Sequence, residues 1–258
     1  MITQTGAVVL RTMEYRESSR IARLYTEDFG KLSVIAKGVR GPRGKFAAAL
    51  EPMNLVAAVI YKKERADLHL LAQCETMAPL TGLRSDLERM QAGMGMVELV
   101  DAVSHPDDPN PLIFNLLRGS LEAADHATYS PDLAFHRFEA RLLDLLGFRP
   151  GLESCAVCGR PVVAEPGEGR SDLALADAGV VCTSCARRGA GSVAVTGDAV
   201  LLLRRLMEPG AAMEMLSGTD PGVAAAAGRA VQWLYAAHVH GYKGLKSERV
   251  FRALGATR

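Results

Sequence analysis

The sequence lacks most of what would mark an enzyme or a secreted protein. Its 258 residues include five cysteines and one tryptophan, and aromatic residues make up only 5%. Broad stacking surfaces are therefore not on offer. No apolar run approaches the roughly 18 residues of a membrane span. The opening MITQTGAVVLRTMEY has no basic leader and no cleavage signature, so it does not read as a signal peptide. That points to the cytoplasm. Five cysteines in a chain this long do not make a secreted disulfide framework either. There is no GxxxxGK(S/T), no GxSxG, no HExxH, and no carboxylate cluster suited to two-metal nuclease chemistry. The chain reads as non-enzymatic.

Charge is nearly balanced, with a formal net of +1, but it is unevenly placed. Residues 1–45 carry 9 Lys and Arg against 4 Asp and Glu, whereas residues 81–150 carry 6 against 11. Such a division can orient a protein on a polyanion without making the whole chain basic. The densest stretch is KGVRGPRGKF, residues 37–46, where Lys37, Arg40, Arg43 and Lys45 stand among three glycines and a proline. Gly and Pro account for a turn but not for the cations. Arg11, Arg16, Arg20 and Arg23 precede it. A glycine-rich loop lets Lys and Arg follow an irregular phosphate backbone, and counterion release supplies much of the affinity. With few aromatics nearby, backbone contact should dominate and sequence preference should be slight. A solubilising loop is the plainer use of the same residues.

Residues 5–13, 20–26, 31–36, about 55–63 and 66–76 read as short strands, with EDFG, 27–30, as a tight turn between the second and third. Five strands in about 75 residues suggest a small closed barrel; another small antiparallel sheet is the alternative. Past residue 80 the texture becomes helical. Asn110-Pro111 and Ser130-Pro131 look like caps followed by proline at the first helical position, and Gly147 looks like a helix end. Residues 151–195 form an irregular insert, and helical texture returns at 198–207 and 221–242. The expected organisation is a barrel over 1–80, a helical domain over 81–150 and 196–258, and a cysteine-bearing module over 151–195.

That module carries CAVC and CTSC, which place Cys155 with Cys158 and Cys182 with Cys185. Each pair can form a knuckle presenting two thiolates to one ion. Two knuckles give a closed tetrahedral site for one structural zinc, with no open position for catalysis. The intervening loop is too rich in Gly, Ala and Asp to build a core unaided, so a metal would supply the cross-link. An iron–sulfur centre and a redox dithiol are the competing uses. Cys74 falls in a strand pattern and reads as an inert buried thiol. His238 and His240 look metal-like, but i,i+2 spacing on a helix does not bring both rings to one face. Met94, Met96, Met207, Met213 and Met215 read as core or groove filler.

These residues resemble the bacterial RecO recombination-mediator family. The run from Thr5 to Met53 is similar to that family's opening almost throughout, with Tyr15, Glu17-Ser18, Thr26, Gly30-Lys31, Lys37-Gly38, Leu50 and Pro52 as its marks. FEARLLDLLGFRPGLESCAVCG, 138–159, resembles the family's central helix leading into a zinc knuckle. CTSC resembles the second knuckle, and LKSERVF, 245–251, its C-terminal basic segment. Two departures stand out: Gly44 replaces a common serine before the last basic residue of the loop, and Glu248 separates Ser247 from Arg249.

The resemblance implies an α+β protein: an N-terminal five-stranded OB-fold barrel followed by an α-helical domain with an inserted four-cysteine zinc module. It further implies binding of single- and double-stranded DNA, annealing of complementary strands, and association with RecR and, in many bacteria, RecF. It implies help in loading RecA onto DNA coated by single-stranded-DNA-binding protein (SSB), with no covalent chemistry and a nucleoid-associated location. On this reading the DNA-binding set is Arg11, Arg16, Arg20, Arg23, Lys37, Arg40, Arg43 and Lys45. Lys243, Lys246, Arg249 and Arg252, beside Leu245 and Phe251, are candidates to meet the acidic tail of SSB. From the residues alone, a zinc-bearing OB protein that binds RNA or assists transcription fits equally well.

Overall fold

In the computed structural model five strands close into a barrel: β1 (Ile2–Tyr15), β2 (Ser19–Thr26), β3 (Gly30–Ala36), β4 (Leu55–Tyr61) and β5 (His69–Ala78). The structure describes residues 1–39, 46–64, 66–126, 128–162, 173–176, 178–186 and 192–253. Barrel order is β1-β2-β3-β5-β4, with β4 returning to β1. All pairings are antiparallel except β3 with β5, a short parallel seam of Val34↔His69 and Ile35↔Leu70. This is the order of an OB-fold, as expected. Period-2 alternation explains the core: Ala22, Leu24, Leu32, Val34 and Ala36 point inward and are buried. β1 breaks the alternation. Val8, Val9 and Leu10 are all buried, and the register slips between Val9 and Arg11. Such a bulge turns the strand, and Arg11 emerges on the outer face.

The helices are α1 (Leu87–Val103), α2 (Pro111–His126), α3 (Pro131–Leu145), α4 (Thr183–Ala186), α5 (Gly197–Met207), α6 (Pro221–His238) and α7 (Lys246–Ala253). They fall into two units. The barrel, α1, α2 and α7 belong to the first, residues 1–126 with 245–258. The second, residues 127–244, holds α3, α5 and α6, together with a small sheet in the order β7-β6-β8: β6 (Leu173–Ala176), β7 (Gly179–Val181) and β8 (Val193–Val195).

Local chemistry sets the helix ends. Asp86, Thr196 and Asp220 accept N–H groups from Arg89, Ala199 and Val223, and Asn110 Oδ1 accepts those of Leu112 and Ile113. Ser130 makes no such bond; Pro131, with φ already fixed, starts α3 without it. At the other end Gly147, at φ +85°, lets its own N–H reach the Asp144 carbonyl and the Phe148 N–H reach that of Leu143, a Schellman closure. Gly93 has a packing role: a Cβ there would fall 2.5 Å from Met53 Sδ. In the second unit, Arg137 and Arg141, one turn apart on α3, donate to the carbonyls of Arg205, Leu206 and Met207 that end α5. Met96, Met207 and Met213 are buried as expected, but Met215 stands 84% exposed. No described helix is long and apolar enough to cross a membrane.

Candidate nucleic-acid interface and metal centre

The outward face of β1, β2 and β3 is built by register. Arg11 pairs with Arg23 and Met13 with Ile21 across β1–β2, and Ile21 pairs with Ile35 and Arg23 with Ser33 across β2–β3. Lys31 lies two residues from Ser33 on the same face. Cations therefore gather at one end and apolar side chains at the other. Met13 is exposed, and Tyr15, Ile21 and Ile35 are half-buried. Arg16, in the β1–β2 turn at φ 55°, lies over the Tyr15 ring at 5.2 Å. A face of this kind offers charge for phosphates and flat or apolar side chains for bases. Met13, Ile21, Ile35 and Lys31 were not expected from the sequence, although the odd-numbered alternation of each strand carried the signal.

The cationic end is not open charge. Asp101, in the last turn of α1, accepts from Arg23 Nη1 at 2.9 and 3.1 Å, lies 3.5 Å from Arg11 Nε and 3.7 Å from Lys31 Nζ, and its carbonyl accepts from Lys31 at 2.7 Å. Burial pulls the Lys31 ammonium below its ordinary range, while Asp101 acts against that. Arg20 is likewise engaged, 3.1 Å from Glu51. Lys37 is exposed. Arg40, Arg43 and Lys45 lie outside the described residues. The flanks of that segment are fixed: the buried Val39 donates its N–H to Ser18 at 2.9 Å, and Phe46 packs against the barrel core. Beside the cations is a cavity of about 310 Å³ lined by Arg23, Lys31, Ser33, His69, Pro106 and Asp107, among others. Nδ1 of the buried His69 accepts the Lys63 N–H at 3.3 Å, which requires a neutral ring; burial holds its pKa down.

The C-terminal segment forms α7. Glu98 of α1 caps it, accepting the N–H groups of Lys246 and Ser247 at 2.7 and 2.8 Å. Lys243, Lys246 and Arg249 are exposed, but Leu245 and Phe251 are buried within the first unit. The segment thus presents cations without those two apolar neighbours. Arg252 lies on α7, its side chain outside the described set. In the second unit an open groove of about 680 Å³ runs along α5, lined by Leu201, Leu202, Leu216 and Val223 with Arg204 and Arg205 among its polar residues.

The four predicted cysteines meet. The sulfurs of Cys155, Cys158, Cys182 and Cys185 all lie within 4.8 Å of one another, and Cys158 and Cys182 are 3.9 Å apart. A tetrahedron with bonds of about 2.3 Å to sulfur has edges of about 3.8 Å, so the set fits one ion. Each knuckle is closed by its own backbone: Gly159 N–H to Cys155 O at 2.8 Å, and Cys185 and Ala186 N–H to Cys182 O at 2.9 Å. Gly159 takes φ +72°, which a residue with a Cβ rarely adopts. Burial alone would raise the Cys155 thiol, but the N–H groups of Cys182, Cys158 and Val157, with the Cys158 side chain, hold it at about 6. The neighbouring thiols push Cys185 to about 12. Four sulfurs so close cannot all ionise without a cation between them. Elsewhere, Cys74 is buried and its thiol is pushed up to about 12 by burial and Glu75. His238 stacks on Phe148 with centroids 4.9 Å apart.

Comparison with known proteins accounts for both halves. Residues 1–80 match the family model "Recombination protein O N terminal", and residues 84–249 match "Recombination protein O C terminal". Among proteins named "DNA repair protein RecO", that of Geobacter metallireducens is 36% identical over 211 residues, 81% of each chain. That of Anaeromyxobacter dehalogenans is 34% identical over 222 residues, 86% of this chain and 84% of the relative. The match to the Prosthecochloris aestuarii protein, 34% identical, spans 63% of this chain and 62% of that one. An OB-ordered barrel, a four-sulfur cluster and matches along nearly the whole sequence agree: the chain belongs to the recombination protein O family.

Proposed function

We propose that the chain is a non-enzymatic DNA-binding mediator of recombinational repair. It binds single- and double-stranded DNA, anneals complementary strands and, with RecR and RecF where present, helps load RecA onto SSB-coated single strands. The observation that carries this reading is the outer face of β1–β3, where cations and apolar side chains share one surface of an OB-ordered barrel. Phosphates would meet Arg16, Lys37 and the cations at 40–45, and bases would rest near Met13, Tyr15, Ile21 and Ile35. The names of its relatives support a place in DNA repair. The cysteine cluster holds one structural zinc: thiolate ligands and a closed tetrahedron suit that ion, and four sulfurs leave no open position at which water could be activated. Lys243, Lys246, Arg249 and Arg252 offer the SSB tail a cationic contact. The protein works in the cytoplasm, on the nucleoid.

The test is annealing of complementary oligodeoxynucleotides, bare and coated with the cognate SSB. Acceleration in both cases is expected. Salt-sensitive binding to folded RNA with equal affinity, together with no annealing of DNA, would replace this reading by an RNA-binding one.

A further inference from the structure

Arg11 and Arg23 are direct cross-strand partners, and Lys31 lies diagonally beyond them on the same face. Like charges opposite one another on neighbouring strands repel, and they persist where something else compensates. Among the described residues the compensation comes from a carboxylate outside the strands, that of Asp101 in the last turn of α1. A carboxylate at a helix C-terminus opposes the helix dipole, so nothing local to α1 favours it there. Its two oxygens accept charge-assisted hydrogen bonds from the Arg23 guanidinium, as a phosphate's would, and Oδ2 also forms an ion pair with Arg11 at 3.5 Å. The engagement is graded. Lys31 is tied most deeply: its side chain is only 10% exposed, and its ammonium donates to the Asp101 carbonyl while forming an ion pair with the carboxylate at 3.7 Å; Arg23 is 30% exposed and Arg11 46%. The outermost cation is thus the one held at the longest of the arginine distances, 3.5 Å.

We infer that Asp101 is an internal stand-in for phosphate that sets the affinity of the barrel for nucleic acid. A DNA phosphate reaching this end of the face competes with Asp101 for Arg11 first and Arg23 second. Lys31 keeps α1 in place while they exchange. The carboxylate screens the cations from free polyanion and keeps binding weak enough to reverse, which suits a protein that must leave the strands it has paired. This inference rests on the DNA-binding reading, and it assigns affinity to a residue outside the barrel.

Asp101→Asn keeps the side chain's size and an accepting oxygen but removes the charge. It is expected to bind a fluorescein-labelled oligothymidylate about three- to ten-fold more tightly. The slope of log affinity against log salt, between ~50 and ~200 mM, should steepen by roughly 0.7 for each further phosphate neutralised. A purely structural role would lower the melting temperature without steepening that slope. In Asp101→Asn/Arg11→Gln the gain should shrink by at least half. A parent protein with no salt-dependent binding defeats the DNA reading itself. A parent that binds, beside an equally folded Asp101→Asn that binds no more tightly, defeats the stand-in role alone. Should Asp101→Asn fail to fold, Arg11→Gln in the parent decides: the half-exposed Arg11 is expected to contribute at least about three-fold to binding, and unchanged affinity overturns the inference.

Discussion

The backbone N–H of Cys182 donates to Cys155 Sγ at 3.4 Å, so the second knuckle already supports the first sulfur as a thiolate. A cluster set up in this way should be lost as a whole when one ligand is lost. Cys158→Ser is expected to remove the ion and loosen residues 151–186, with proteolysis beginning there. The barrel has its own core and should survive. Elemental analysis of protein purified without added zinc, paired with limited proteolysis, checks this: about one ion per chain in the parent, and loss with new cleavage in the variant. A metal-free, protease-resistant and fully active parent would defeat it.

Neutralising Arg40, Arg43 and Lys45 together should weaken DNA binding with little change in stability. The warrant is charge of one sign on a glycine-rich segment whose flanks, Val39 and Phe46, are fixed on the barrel. The salt slope should fall by roughly 0.7–0.9 for each phosphate left unneutralised. An unchanged affinity and slope would remove the segment from the interface.

Lys246→Glu with Arg249→Glu should weaken binding to an isolated acidic SSB tail peptide by about ten-fold or more, and binding to bare DNA by less. Because Leu245 and Phe251 are buried, the contact should be strongly salt-sensitive. Calorimetric titration at two salt concentrations is the measurement. Tail affinity that survives the reversal would instead favour the groove along α5, with its leucines and Arg204 and Arg205.

His69 predicts a pH dependence. Its folded-state pKa is depressed, chiefly by burial, with Asp107 pulling the other way and Lys62 reinforcing the shift. The unfolded chain therefore takes up the proton first, near pH ~6.5. The stability tied to this group is fully present above that value and is lost as pH falls from there through the folded pKa. Urea midpoints between pH ~7.5 and ~5.5 should drop for the parent and drop less for His69→Gln, whose amide oxygen can still accept the Lys63 N–H. Parallel curves would show that another group carries the effect.

The strands are legible in the sequence because alternation is local: each of the five lies within a few residues of its expected place, and EDFG marks its turn. The four cysteines are legible for the same reason, since spacing within a knuckle is a local property. What closes the barrel is not. The seam between β3 and β5 rests on two register pairs with no turn to announce them. Asp101 reads as an ordinary helix charge, because its partner Arg23 lies 78 residues away and only the fold brings them together. Leu245 and Phe251 read as companions to the neighbouring cations; the structure instead buries them under a segment capped by Glu98, a contact that spans 148 residues.

The return of α7 to the first unit sets an order of events during synthesis. Residues 127–244 leave the ribosome between the two parts of that unit. At about 5–20 residues per second their translation takes roughly 6–24 s. Through that interval the barrel can close and α1 can settle on it, but Glu98 has no N–H groups to accept. A nascent chain halted at residue 244 should hold a closed barrel with an open seat on α1, and residues 245–253 act as the latch on a unit begun at the first.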